Sequence, residues 1–218
     1  MKPTKIVVID YGLGNLYSVK RALEVCGAVN VCVSDSATDI ANADRVVLPG
    51  VGAFADGMRG LTERKLIEPI RYYAESGRPL LGICLGMQML TTSSEEFGNH
   101  EGLNLIPGYV RAIPNYATDG SALKIPHIGW CPLVKPELIN WDYTILSMTP
   151  KLSSVYMVHS YAVETEHPTH QLSYCVYGGH KISTIIKSNS VYGCQFHPEK
   201  SGRIGLNILS NFLNHNEI

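Results

Sequence analysis

The stretch Pro79-Leu80-Leu81-Gly82-Ile83-Cys84-Leu85-Gly86-Met87-Gln88-Met89-Leu90 decides the reading of this chain. Its first half is a short apolar run that suits a buried strand, and the half from Leu85 onward reads as a helix. Cys84 stands at the junction, with a glycine two residues to either side. A nucleophile displayed on a strand-to-helix turn sits on strained backbone, and a side chain at either flank would crowd it and its substrate. The first free amides of the helix face back toward the thiol and offer donors to a negative charge developing there, the N–H of Leu85 first among them. Much later the chain reads Gln195-Phe196-His197-Pro198-Glu199. The proline removes an amide donor and fixes φ, which suits a backbone from which the His197 and Glu199 side chains converge. A displayed cysteine, a histidine to take its proton and a glutamate to orient the imidazole are the components of nucleophilic catalysis. The pattern predicts an enzyme.

Around this motif, strand and helix signals alternate. Lys5 to Asp10 reads as a buried strand, Leu16 to Cys26 as an amphipathic helix ended by Gly27, Val29 to Val33 and Arg45 to Leu48 as further strands, and Pro79 to Ile83 as the strand that delivers Cys84. Residues 54 to 75 read as helix with breaks near Gly60 and Pro69. This rhythm implies an α/β fold with a mainly parallel sheet, helices on both faces, and sites beyond the carboxyl ends of the strands. After Leu105 come short β-branched and aromatic runs, among them Val155 to Val163 and Val191 to Phe196, before a closing helix from Gly202 to Leu213. Pro49-Gly50-Val51-Gly52 ends a buried strand and offers uncrowded backbone amides, as an oxyanion or carboxylate receptor requires. Gln88 lies one helical turn after Cys84, on the same face.

With 218 residues, 45% of them hydrophobic, the chain can bury a sizeable core and is expected to form one domain over residues 1–218. Eighteen basic residues balance nineteen acidic ones, so neither a nucleic acid nor a membrane is an expected partner. Met1-Lys2-Pro3-Thr4-Lys5 leads only into a short apolar strand, which predicts no signal peptide, no membrane span and a cytoplasmic protein. Six cysteines without a CxxC pair point to reduced thiols. Gly12-Leu13-Gly14 follows a strand, but Tyr17 replaces the third glycine of a dinucleotide fingerprint, which argues against NAD. His167-Pro168-Thr169-His170 is polar, broken by proline and without a third ligand, so a solvated loop is expected there and no metal.

Taken in order, the Cys84 turn and the His197-Pro198-Glu199 string resemble the class I glutamine amidotransferase family, and the resemblance covers nearly the whole chain. Within the family the strings are most similar to the branch that feeds imidazole glycerol phosphate synthase. They include Tyr11-Gly12-Leu13-Gly14-Asn15-Leu16, Leu48-Pro49-Gly50-Val51-Gly52-Ala53-Phe54, Pro126-His127-Ile128-Gly129-Trp130, Val158-His159-Ser160-Tyr161 and Gly193 to Ser201. One departure stands out: the pattern continues after Trp130 with asparagine where this chain has Cys131, and the segment from Cys131 to Ser154 is unfamiliar.

The resemblance implies a flavodoxin-like, mostly parallel central sheet with an additional antiparallel β region. It also implies a triad of Cys84, His197 and Glu199, with oxyanion donors from Leu85 and the Gly50-Val51 peptide. Gly52, Gln88, Ser160 and Tyr161 would hold L-glutamine, with His159 in the substrate wall. The expected reaction is glutamine hydrolysis without a cofactor. Its ammonia would pass to a separate (β/α)₈ cyclase subunit, the heterodimer partner, for imidazole glycerol phosphate formation in histidine biosynthesis. Trp130, Tyr156 and Lys200 are the expected rim facing that partner. Two other readings fit the same strings: a paralogous glutaminase serving a sugar-modifying synthetase in surface polysaccharide assembly, and a catalytically silent binding or regulatory subunit on the same fold.

Overall fold

The apolar runs Lys5–Ile9 (β1), Asn30–Ser34 (β2), Arg45–Gly50 (β3) and Leu80–Cys84 (β4) lie side by side as parallel strands, in the order β4-β3-β1-β2. Between them run the helices α1 (Leu16–Val25), α2 (Ala37–Ala41), α3 (Phe54–Glu63) and α4 (Ile67–Glu75). The short helix α5 (Leu85–Met89) follows β4 directly. The second half is β-rich: β5 (Ser93–Ser94), β6 (His100–Glu101), β7 (Gly108–Ala112), β8 (His127–Pro132), β9 (Ser154–His159), β10 (Tyr161–Thr165), β11 (Gln171–Tyr177), β12 (His180–Ser188) and β13 (Val191–Cys194), closed by α6 (Gly202–Asn214). This is a computed structural model, and it describes residues 4–214. The expectation about a signal peptide rests partly on Met1 to Pro3, which lie outside the described residues.

β13 adds to β4 in parallel, and β12 and β11 extend the sheet antiparallel, giving seven strands in the order β11-β12-β13-β4-β3-β1-β2. A four-stranded sheet (β10-β7-β5-β6) and a ribbon of β8 with β9 form the additional β region. The central strands read as continuous apolar runs because helices cover both of their faces. Ile6, Val8, Val47 and Leu81 pack with Val19 and Leu23 of α1 and Ile208, Leu209 and Phe212 of α6. Val7, Ile9, Val46 and Leu80 face the other way, onto Ile40, Phe54, Leu61, Ile70 and Tyr73 of α2, α3 and α4. Each such fully buried aliphatic side chain contributes about 1.5–3 kcal/mol. Among the described residues, no helix is long and apolar enough to cross a membrane.

The helix expected over residues 54 to 75 breaks elsewhere than at Gly60 or Pro69. Gly60 lies inside α3, where a Cβ would come within 2.6 Å of the Tyr11 carbonyl oxygen, so it serves a close approach. Pro69 sits in the first turn of α4, where its missing N–H has no helical partner to lose. The break falls instead at Lys65, in the left-handed region at φ 57°, and no glycine or proline announces it. The run from Val155 to Val163 divides at Ser160 into β9 and β10, which belong to different sheets.

Candidate active site

Cys84 closes β4 and caps α5 at φ 55° and ψ −111°, a conformation rare for a residue with a side chain. Holding it costs on the order of 1–3 kcal/mol, which the surrounding packing must offset. A Cβ on Gly82 would lie 2.7 Å from the Gly86 backbone, and one on Gly86 would run into the Leu48 carbonyl. The two glycines therefore let β4, α5 and β3 meet backbone to backbone, a further reason for them than the clearance around the thiol that the sequence suggested. Gly50, the last residue of β3, is the register partner of Cys84.

β13 pairs with β4 and so carries the segment after it to the same end of the sheet. There His197 Nδ1 lies 2.8 Å from Glu199 Oε1, with the two side chains 9% and 2% exposed. With Nδ1 committed to Glu199, Nε2 is the nitrogen left for Cys84, which lines the same cavity as His197. Burial alone would push the His197 pKa down, but the hydrogen bonds and charges of Cys84 and Glu199 outweigh it and raise the pKa to about 9. The Ser201 hydroxyl donates to the His197 carbonyl at 2.8 Å and accepts from the Tyr156 N–H at 3.0 Å, tying this segment to β9.

A cavity of about 370 Å³ opens over Cys84 and His197, and Val51, Gly52, Leu85, Gln88, Ser160 and Tyr161 also line it. Gly50 stands behind this wall, where a Cβ would collide with the Tyr11 hydroxyl and come within 2.9 Å of the Leu85 Cβ. Glu199 lies behind His197, away from the cavity lining. Of the three residues expected at the partner rim, Lys200 lines the cavity, while Trp130 and Tyr156 pair across the β8–β9 ribbon with ring centroids 5.9 Å apart. Trp130 is 59% exposed, and Ile128 and Val158 form another cross-strand pair of the ribbon with exposed side chains.

Several residues that the sequence reading passed over belong to the site. Gln195, fully buried, places its Nε2 3.9 Å from Cys84 Sγ and accepts at Oε1 from Gln88 Nε2 at 3.1 Å. Gln88 Nε2 also donates to the Tyr161 carbonyl at 3.1 Å. Glu96 lines the cavity, and its Oε2 accepts from the Phe54 N–H at 2.6 Å. His159 donates from Nδ1 to the Tyr161 carbonyl at 2.8 Å, which leaves its Nε2 to accept from His127 Nδ1 at 3.2 Å. Burial is the main force holding His159 down near pKa 4, opposed by the Tyr161 bond and helped by His127, so this wall histidine is neutral. In the sequence, Gln195 is signalled only by the string Gln195-Phe196-His197 and His127 only by Pro126-His127-Ile128-Gly129-Trp130, and nothing signals Glu96.

Cys131, where the family pattern has asparagine, is a core position 4% exposed, with its thiol against Cys175 and His127. All six cysteines are free thiols. Among the described residues, no three His, Cys, Asp or Glu side chains converge as a metal site would require.

The chain matches the model of the Glutamine amidotransferase class-I family over residues 7–216. It is 51% identical over 211 residues to imidazole glycerol phosphate synthase subunit HisH 1 of Legionella pneumophila (strain Paris), with 96% of this chain and 99% of that protein covered. To subunit HisH of the same synthase from Syntrophotalea carbinolica it is 46% identical, covering 95% and 98%. Among solved structures, PurLQS from Thermotoga maritima matches with a TM-score of 0.72 at 19% identity, over 98% of this chain and 99% of that one. A glutamine amidotransferase from Thermotoga maritima matches with a TM-score of 0.62 at 16% identity, covering 98% and 84%. These structural matches speak to the fold, while the family model and the full-length relatives speak to descent. The chain belongs to the class I glutamine amidotransferase family.

Proposed function

We propose that the chain is the glutaminase subunit of an imidazole glycerol phosphate synthase, acting as a single domain in the cytosol on the pathway to histidine. The observation that carries the reading is that Cys84 and His197 line one cavity with Glu199 bonded behind His197, in a chain so similar to subunits of that synthase. The Cys84 sulfur attacks the side-chain amide carbon of L-glutamine with its proton held by His197. Glu199 holds the imidazole with Nδ1 protonated and Nε2 toward the sulfur. The oxyanion of the tetrahedral intermediate is met by the N–H of Leu85 and by that of Val51 in the Gly50-Val51 peptide. Collapse breaks the C–N bond, His197 returns its proton to the departing ammonia, and a γ-glutamyl thioester remains on Cys84. Water, deprotonated by His197, then cleaves the thioester and releases glutamate.

Hydrogen-bond accounting orients the substrate. Both Gln88 Nε2 protons are taken, one by Tyr161 and one by Gln195, so Gln88 offers the ligand its Oε1 acceptor. With the Glu96 carboxylate on the same cavity, this acceptor suits the α-ammonium of glutamine. The α-carboxylate is left to backbone groups of Gly52, Ser160 and Tyr161. Ammonia leaves toward the cyclase subunit, for which the β8–β9 ribbon with Trp130, Tyr156, Ile128 and Val158, and Lys200 at the cavity, form the docking surface.

The test is Cys84→Ala in the complex with the cyclase. Glutamine-dependent turnover should fall by at least about 10³-fold, while synthesis from ammonium salts continues at the wild-type rate. Appreciable glutamine hydrolysis by the alanine variant would remove Cys84 from the mechanism.

A further inference from the structure

Buried polar groups are almost always paired, so an unpaired one asks for a reason. Tyr11, in the loop after β1, is 1% exposed, and its hydroxyl has no hydrogen-bond partner among the described residues. The ring packs in the apolar cluster of α2, α3 and α4, a space that phenylalanine would fill as well. Two glycines make room for Tyr11. A Cβ on Gly60 would come within 2.6 Å of its carbonyl oxygen and 3.1 Å of its ring, and a Cβ on Gly50 would strike its hydroxyl. The hydroxyl is thus aimed at the backbone of the residue that pairs in register with Cys84.

We propose that Tyr11 is a positioning residue of the glutaminase reaction, its O–H donating to the Gly50 carbonyl when the Val51 N–H is turned toward the oxyanion. The inference rests on the glutaminase reading given above. In a planar trans peptide the carbonyl of Gly50 and the N–H of Val51 point in opposite directions. A Val51 N–H that faces the cavity therefore sends the Gly50 carbonyl back into the protein, where it must find a donor. The Tyr11 hydroxyl is an unpaired donor against Gly50. Burial, and secondarily the charge at Cys84, raise the Tyr11 pKa far above the usual tyrosine range, so the hydroxyl keeps its proton throughout turnover.

The experiment is Tyr11→Phe, assayed for glutamine hydrolysis in the complex with the cyclase subunit, with the melting temperature of the chain measured alongside. A residue that only packs the core would leave kcat at the wild-type value. The expected result is a kcat about 10- to 100-fold lower at nearly unchanged KM, because a misaligned oxyanion donor weakens the transition state and spares ground-state binding. The melting temperature should be unchanged or higher, since the unpaired hydroxyl is gone. Wild-type kcat in the variant would overturn the proposal. So would a clear drop in melting temperature, which would mean that the hydroxyl is already paired in the resting fold. If the wild-type complex itself fails to hydrolyse glutamine, the glutaminase reading falls and takes this role of Tyr11 with it, an outcome distinct from an active wild type with an equally active variant.

Discussion

On the β4 side of the cavity the supports are backbone: Gly82 against Gly86, and Gly86 against Leu48, hold the Cys84 turn with no room for a methyl group. On the opposite wall, made by the end of β9 and the start of β10, the supports are side chains, running from His127 through His159 to the Tyr161 carbonyl and on through Gln88 to Gln195. The Cys84 turn is fixed by close packing, which tolerates almost no change of shape. The facing wall is fixed by polar partners, which can be exchanged if a donor is replaced by a donor. Damage on the first side should appear as lost stability, and damage on the second as weakened binding.

The largest expected effect tests the backbone side. Gly86→Ala should destabilise the chain by about 3 kcal/mol, because the new methyl meets a carbonyl that belongs to a central strand. Chemical denaturation measures this directly, and a variant of wild-type stability would show that α5 can slide along β3. The contrast sharpens at His159. Leucine there removes the donor to Tyr161 and strands the His127 N–H, so KM for glutamine should rise about tenfold with kcat little changed. His159→Asn, which can place an amide N–H near Nδ1, should recover most of that loss. Equal KM values for the leucine and asparagine variants would deny the wall its dependence on a donor.

The smallest effect concerns pH. The His197 pKa stands near 9 in the folded chain against an ordinary value of 6.5, so its proton favours the folded state. That contribution is complete below about pH 6.5 and is lost as pH rises through about 9. Glu199→Gln weakens the site's hold on the proton. The melting-temperature gap between wild type and this variant should therefore be wider at pH 6 than at pH 10. A gap that stays constant over this range would place the Glu199 contribution in packing instead of charge.

Legibility in the sequence follows the same divide. The Cys84 turn with its glycines and the His197-Pro198-Glu199 string stand out because each is a short local pattern, and the parallel strands because both of their faces are apolar. Gln195, Glu96 and Tyr11 are not, since their roles come from contacts across the fold: Gln88 meets Gln195 at 107 residues' separation, and Phe54 meets Glu96 at 42. Gly60 passes for a helix break because a missing side chain looks the same in a sequence whether it frees the backbone or admits a neighbour. Ser160 is hidden within one apolar run, although the chain changes sheets there.

The pairing of β13 with β4 has a consequence for the chain as it is being made. Gln195 and Cys84 lie 111 residues apart, so roughly half of the protein is synthesised after Cys84 and before the segment that bears His197. Until Val191 to Cys194 emerge, β4 presents an open, apolar strand edge of the kind that invites wrong pairing, and Cys84 has no imidazole beside it. On the function proposed above, hydrolysis begins only once β13 has joined β4, and completion of the fold is itself the first safeguard against wasted glutamine.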